Sequence, residues 1–233
     1  VLVLAETTGK VVCMDLAEGK KLWENSIVGK RARLPYGAPK IGGGMVIFRS
    51  DAGRTITVMS LARQGRVIAT WSANQWAEAE ITPDGILLLM LDGELTAREP
   101  GDLDKPIWTA KYDVNKNPGI IAVAKDVLAV ASDSSGGPVD VLSITGSGQK
   151  IASLELDRLD DMPALAFEAA FDRGNLLVMC STWQILPRRG PQGDLASVRG
   201  LCLQKFKIND GKMLWRADLE NKMMHMPYVL PMV

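Results

Sequence analysis

The chain has 233 residues, of which 47% are apolar and 23% charged. This length and composition allow one sizeable hydrophobic core and exclude a disordered chain. Lys and Arg together number 27, as do Asp and Glu, so the formal net charge is zero and no nucleic-acid-binding surface is indicated. The longest apolar run, 86–91, is far shorter than the roughly 20 residues of a membrane-spanning helix, so no transmembrane segment is predicted and any membrane anchor would belong to another segment.

Short strands separated by turn residues are predicted along the whole chain. Asp92 and Gly93, between two apolar runs, are the strongest hairpin signal. The glycine run at 41–44 precedes a strand rather than a helix, which indicates a tight turn and not a phosphate-binding loop. In chain order, the predicted strands are 1–5, 10–15, 21–24, 45–49, 55–61, 66–71, 78–81, 86–91, 94–98, 106–112, 120–124, 127–131, 139–144, 150–156, 164–171, 175–180, 201–208, 213–219 and 223–230.

An eleven-residue pattern occurs near both ends of the chain, at 13–23 and at 205–215. Each copy has a turn that contains an acidic residue and Gly, followed by Lys, an aliphatic residue and Trp. Weaker copies lie between these two, at spacings near the roughly 40 to 50 residues of a four-stranded propeller blade. The last step is longer because of an insertion at 182–200. The five turns are at Gly19, Gly65, Asp104, Gly148 and Gly211.

The repeated pattern resembles the tryptophan-docking motif of quinoprotein-like β-propellers, Ala-x-Asp-x-x-Thr-Gly-Lys-x-x-Trp, which also occurs in outer-membrane assembly lipoproteins with PQQ-like repeats. The chain departs from the motif at Cys13, Glu18 and Lys207. The resemblance implies an all-β fold, a β-propeller of four-stranded antiparallel blades. The matching positions, expected to have a structural docking role because the Trp rings would cover neighbouring blades, are Asp15, Gly19, Lys20, Trp23, Trp108, Gly211, Lys212 and Trp215.

We expect one propeller domain or segment over 1–233. Because the family usually has seven or eight blades, the resemblance implies that the five visible blades are part of a larger ring, or that another chain completes it. A C-terminal strand at 223–233 would begin a further blade or close the first one. The expected blades are 1–30, 36–72, 76–113, 118–157 and 163–220.

No catalytic, cofactor-binding or metal-binding residue is predicted. Quinone-dependent enzymes of the family hold the quinone near a vicinal Cys pair and a carboxylate-bound cation, and neither set of residues is recognisable in this chain. His225 is the single histidine, too few for a His-based metal site or a Ser-His-Asp triad. Cys13 has no candidate partner, whereas Cys180 and Cys202 fall on predicted neighbouring strands. Either a cross-strand disulfide or two reduced, buried thiols would fit that pair.

The insertion at 182–200 is the best candidate for a specific role, because long loops on rigid scaffolds concentrate function. Trp183, Arg188 and Arg189 are residue types that anchor protein interfaces, so a partner-binding loop is predicted; a variable surface loop is the alternative. The sequence therefore favours a bacterial, non-enzymatic propeller without a cofactor, which serves as a scaffold for protein interaction or assembly in the periplasm or another extracytoplasmic compartment.

Two other functions fit the same residues. The chain could be a portion of a PQQ-dependent dehydrogenase whose cofactor site lies outside this segment, or a sensor domain joined to a kinase or a membrane anchor. The chain begins on a strand without an initiator Met, which indicates a processed or excised polypeptide.

Overall fold

A computed structural model describes residues 1–6, 9–26, 39–159, 162–186 and 195–219. These residues form strands throughout, with one 3-10 turn at Val114–Lys116. Within these ranges, no helix has the length and apolar character needed to cross a bilayer. The strands are β1 Leu2–Ala5, β2 Lys10–Met14, β3 Lys21–Ser26, β4 Lys40–Gly42, β5 Met45–Ser50, β6 Thr55–Ser60, β7 Arg66–Ser72, β8 Ala77–Ile81, β9 Leu87–Leu91, β10 Glu94–Glu99, β11 Asp102–Lys111, β12 Gly119–Val123, β13 Val127–Ala131, β14 Val139–Ser143, β15 Lys150–Leu154, β16 Leu165–Asp172, β17 Asn175–Leu186, β18 Leu195–Lys207 and β19 Met213–Leu219.

The strands form five antiparallel sheets, and each sheet is a meander in chain order. Blade one consists of β1–β3, and the four-stranded blades two to five consist of β4–β7, β8–β11, β12–β15 and β16–β19. The all-β prediction is thereby confirmed, and the described residues form part of a β-propeller.

The described residues have four hydrophobic core clusters, and each lies between two consecutive blades. Strand β9 contributes side chains to two of these clusters. Its side chains alternate between the two faces of the sheet, so Leu87 and Leu89 pack towards blade two while Leu88 and Met90 pack towards blade four. A strand that is buried on both faces reads as a continuous apolar run, as this one does.

Every blade has a β-bulge in its outermost strand at the same position of the repeat. In blade one, Cys13 faces Trp23 and Met14 faces Lys21, so Leu22 is the additional residue. Bulges twist an edge strand and so hinder its pairing with another chain. The bulged residues are the aliphatic residues that precede the Trp position of the repeat: Leu22, Ile68, Ile107, Ile151 and Leu214.

Most predicted strands agree with the structure to within two residues, but three regions differ. Strand β4 was not predicted, because its three residues merge into the glycine run; only 43–44 form the turn. Strand β11 begins at Asp102, four residues earlier than predicted. The insertion is not a plain loop, because β17 continues to Leu186 and β18 begins at Leu195.

Candidate interaction site

Two of the repeated Trp rings lie directly on a glycine of the following blade. The ring of Trp23 covers Gly65, and the ring of Trp108 covers Gly148 so closely that a β-carbon there would stand 2.5 Å from Cε3. Both glycines have φ near the left-handed region, +73° and +67°, which other residues rarely adopt. Glycine is therefore required at these turns both for the backbone conformation and for the space that the ring occupies.

Hydrogen bonds also join the blades at the same two interfaces. Trp108 is only 6% exposed, and its indole Nε1 donates to the backbone oxygen of Ile144 at 2.8 Å. Between blades one and two, the side-chain amide of Asn25 donates to the backbone oxygen of Gly65 at 2.9 Å. The docked ring of Trp108 thus buries apolar area while its indole N–H keeps a hydrogen-bond partner.

The third repeated Trp has a different environment. Trp215 on the outer strand of blade five is 44% exposed, and none of the four core clusters of described residues includes it. Leu214 and Leu219 on the same strand are 47% and 42% exposed. This face of blade five is therefore an exposed apolar surface that ends the row of described blades.

The acidic residues of the two sharp motif copies stabilise their turns. Asp15 Oδ1 accepts hydrogen bonds from the backbone N–H groups of Ala17 and Glu18, at 2.8 and 3.2 Å. Gly19 and Lys20 complete this turn through backbone hydrogen bonds to Asp15. The last copy has Lys207 at the corresponding position, and there Asp210 Oδ1 instead accepts from the backbone N–H of Lys212 at 3.1 Å, beside Gly211.

Blades two and three are joined by a contact that the sequence analysis missed. The turn of blade three has Asp104 where the others have Gly, and blade two has Ala69 at its Trp position. At this interface, the guanidinium of Arg98 lies 5.5 Å from the ring centre of Trp71 and donates to the backbone oxygen of Asp104 at 2.9 Å. Arg98 thus links the turn of its own blade to an aromatic ring of the preceding blade.

Blades four and five are joined by a side chain that pairs with the backbone. Gln204, fully buried on β18, accepts a hydrogen bond from the N–H of Asp157 at 2.9 Å and donates to its oxygen at 3.0 Å. Nearby, Arg216 Nη1 donates to the backbone oxygen of Arg158 at 2.7 Å. Blade four has Ala152 at its Trp position, so these hydrogen bonds replace the ring.

Asp92 lies in a turn, but its side chain also binds backbone groups that are distant in the sequence. Its carboxylate accepts hydrogen bonds from the backbone N–H groups of Asn74 and Gln75, at 2.7 and 2.8 Å, in the segment that enters β8. Burial alone would raise the pKa of this carboxyl group, but these donors, with the N–H of Trp76, lower it. The residue therefore ties the β9–β10 turn to the start of its own blade.

The insertion of blade five is a β-hairpin that continues the two middle strands of the blade. Trp183 lies in β17 and faces Val198 of β18, one step beyond a bulge that follows the pair of Thr182 and Gly200. The tip, which carries Arg188 and Arg189, lies outside the described residues, as does the predicted C-terminal strand at 223–233 with His225.

The base of this hairpin contains the buried cysteine pair. Cys180 and Cys202 face each other across β17 and β18, and both side chains are fully buried. Burial, with the neighbouring Cys202 thiol as a further cause, raises the pKa of Cys180 to about 12. The hydroxyl groups of Ser181 and Thr182, also buried, have no hydrogen-bond partner among the described residues.

Among the described residues, no three or more His, Cys, Asp and Glu side chains are grouped to hold a metal ion. The features that converge on one place are those of blade five. They are the paired strands that continue beyond the blade and the Gln204 contact beneath them.

Comparisons with known proteins agree with this architecture. Residues 1–101 match a family model described as outer membrane protein assembly factor BamB, with PQQ-like repeats. No curated protein matches the chain significantly. The class is thus a β-propeller, of which the described residues form five antiparallel blades. Residues 1–101 are therefore similar to propellers with PQQ-like repeats, the family that the motif resembles.

Solved structures share the fold at low sequence identity. A mitotic checkpoint complex structure has a TM-score of 0.59 at 13% identity, and covers 93% of this chain and 61% of its own. A europium-containing methanol dehydrogenase has a TM-score of 0.57 at 12% identity, covering 93% and 59%. Hydrazine synthase from Kuenenia stuttgartiensis has a TM-score of 0.55 at 15% identity, covering 83% and 51%. The chain therefore spans about half to three-fifths of the length of these chains.

Proposed function

We propose that this propeller is a non-enzymatic scaffold for protein interaction or assembly in the periplasm or another extracytoplasmic compartment. The observation that carries the proposal is the hairpin of blade five. Its strands β17 and β18 have 12 and 13 residues, whereas the other described strands have 10 or fewer. Paired strands that continue past the blade offer a partner a preformed surface.

The hairpin has a rigid base, which lowers the entropy cost of binding. Its strands continue from the fully buried pair of Cys180 and Cys202, and Gln204 on β18 is hydrogen-bonded to the backbone of blade four. Above this base the sequence supplies Trp183, and the tip supplies Arg188 and Arg189. Trp and Arg are enriched among residues that dominate binding energy, so these three are the proposed contact residues.

The family match supports the extracytoplasmic location and the assembly role of the proposal. The matching model, described as an outer membrane protein assembly factor, covers residues 1–101. We transfer from it only the general role of assembly outside the cytoplasm. The partner is expected to be a protein, since the net charge of zero offers no general attraction for nucleic acid.

Affinity capture from the native host tests the proposal. The whole chain is expected to recover a stoichiometric partner, and the triple variant Trp183→Ala, Arg188→Ala, Arg189→Ala is expected to lose it. A matched control replaces the exposed Trp215, Arg63 and Arg66 by Ala and is expected to retain the partner. Equal capture by the hairpin variant and the wild-type chain would contradict the assignment.

The alternative, a portion of a PQQ-dependent dehydrogenase, makes a separate prediction. In that case the native polypeptide, supplied with the quinone and calcium, oxidises an alcohol or a sugar with a dye as electron acceptor. The scaffold proposal predicts no quinone-dependent dye reduction above that of a boiled sample. Turnover that requires both additions would favour the dehydrogenase.

A further inference from the structure

The cysteine pair at the base of the hairpin has the placement of a disulfide. Cys180 and Cys202 are direct partners in the register of β17 and β18. Both are free thiols, and both belong to the cluster between blades four and five. We infer that Cys180 and Cys202 are a disulfide-forming site that covalently closes the base of the hairpin in an oxidising compartment.

The distances in an antiparallel pair permit this bond. Directly opposite residues have Cα atoms about 4.5 to 5.5 Å apart, within the roughly 4.4 to 6.8 Å of known disulfides. Opposite side chains also leave the sheet on the same face, so the two Sγ atoms can meet without a change of register. The inference goes beyond the proposed function, because it holds whether or not the hairpin binds a partner.

The neighbourhood keeps the two sulfurs in place and excludes other thiols. Gln204 Nε2 lies 3.4 Å from the Sγ of Cys202, and Gln204 is itself fixed to Asp157. Cys13 is buried in the cluster between blades one and two, away from this pair. Of the three cysteines, Cys180 and Cys202 are therefore the pair that is positioned to form a disulfide.

The reaction is a thiol–disulfide exchange with a small disulfide such as oxidised glutathione as the oxidant. One thiolate attacks the oxidant and releases one small thiol, and the second thiolate then displaces the other. The protein loses two protons and two electrons in total, and the oxidant is reduced to two thiols. Because both thiols are fully buried in the folded protein, the bond is expected to form while the strands pair during folding, before blade four covers them.

Refolding in a glutathione buffer rich in the oxidised form tests the inference. The denatured product is then alkylated and mapped without reduction. We expect a single cross-link between the peptides of Cys180 and Cys202, a mass lower by two hydrogens and alkylation at Cys13 only. Three alkylated cysteines, a link that includes Cys13, or stable mixed disulfides with glutathione would each overturn the inference.

The melting temperature provides a second readout. A cross-link that closes a loop of about 20 residues should raise Tm by roughly 5 to 10 °C in a domain of this size, and dithiothreitol should abolish the rise. Cys13→Ala is expected to keep the cross-link, whereas Cys180→Ala and Cys202→Ala lose it. Should the latter variants fail to fold, the peptide map of the wild-type chain still decides.

Discussion

At the scale of the residue, Asp92 is the clearest example of a turn residue with a distant task. Its carboxylate receives backbone N–H groups from 17 and 18 residues earlier in the chain. Its own φ is 47°, a left-handed conformation that Asp and Asn tolerate. Asp92→Asn therefore keeps the turn and removes the charge that those donors stabilise.

We predict that Asp92→Asn lowers the free energy of unfolding at pH 7 by about 1 to 3 kcal/mol. The sign follows from its lowered pKa: the stabilisation is present above the unfolded value of 3.8 and is lost as the pH falls through the folded value. Urea unfolding at pH 7 and pH 3 measures both effects. The free energy of unfolding of the variant should depend less on pH in the acid range than that of the wild type. Asp210→Asn should change this free energy little, because the hydrogen bond of Asp210 lies within its own turn.

At the scale of the element, the turn glycines and the rings that cover them can be separated experimentally. Gly19 and Gly148 have nearly the same φ, +66° and +67°, but a β-carbon at Gly19 would meet no atom within 4 Å. Both substitutions by Ala carry the same backbone strain. Only the one at Gly148 also displaces the Trp108 ring.

Gly148→Ala is therefore expected to destabilise the protein by about 1 to 3 kcal/mol more than Gly19→Ala, the cost of overpacking. Denaturant unfolding of the two variants gives the difference. In the background Trp108→Ala the additional cost should disappear, since no ring remains to be displaced. Equal losses for the two glycine variants in the wild-type background would show that the ring is not tightly docked.

The elements differ in how far the sequence predicts them. The strands, and the packing of Trp23 and Trp108 against a neighbouring blade, follow from local periodicity and from a repeat that places like residues at like positions. The contacts of Arg98 with Trp71 and of Gln204 with Asp157 do not, because each joins residues whose proximity depends on how two blades pack. The bulges and β4 were also missed: a bulge adds one residue without changing composition, and a three-residue strand with Gly has no period to detect. For the insertion, the sequence located the irregularity but not that β17 and β18 continue into it.

At the scale of the whole molecule, the four interfaces between the five described blades each have an apolar cluster but differ in their polar and aromatic contacts. Trp rings on glycine join blades one to two and three to four, a cation over a ring joins two to three, and side chain to backbone hydrogen bonds join four to five. Because each blade contacts its neighbours, the stability of such an array depends on these interfaces. The Trp at the end of the row should therefore contribute less than one inside it.

Trp108→Ala is expected to cost about 3 to 5 kcal/mol of unfolding free energy, as for other buried large side chains. Trp215→Ala should lower the unfolding free energy by about 1 kcal/mol or less, because Trp215 is already 44% exposed. Thermal and urea unfolding of the two variants test this contrast. A comparable loss at Trp215 would mean that another surface encloses its ring.

The most direct test of the scaffold proposal is the capture of a partner by a chain that lacks the hairpin but keeps the blade. Because Thr182 and Gly200 are paired, residues 183–199 can be replaced by Asn-Gly, which closes a tight two-residue turn. The account predicts a folded protein with a Tm near that of the wild type and no stoichiometric partner in affinity capture from the host. Undiminished capture by the shortened chain, or no partner for the wild-type chain, would contradict it.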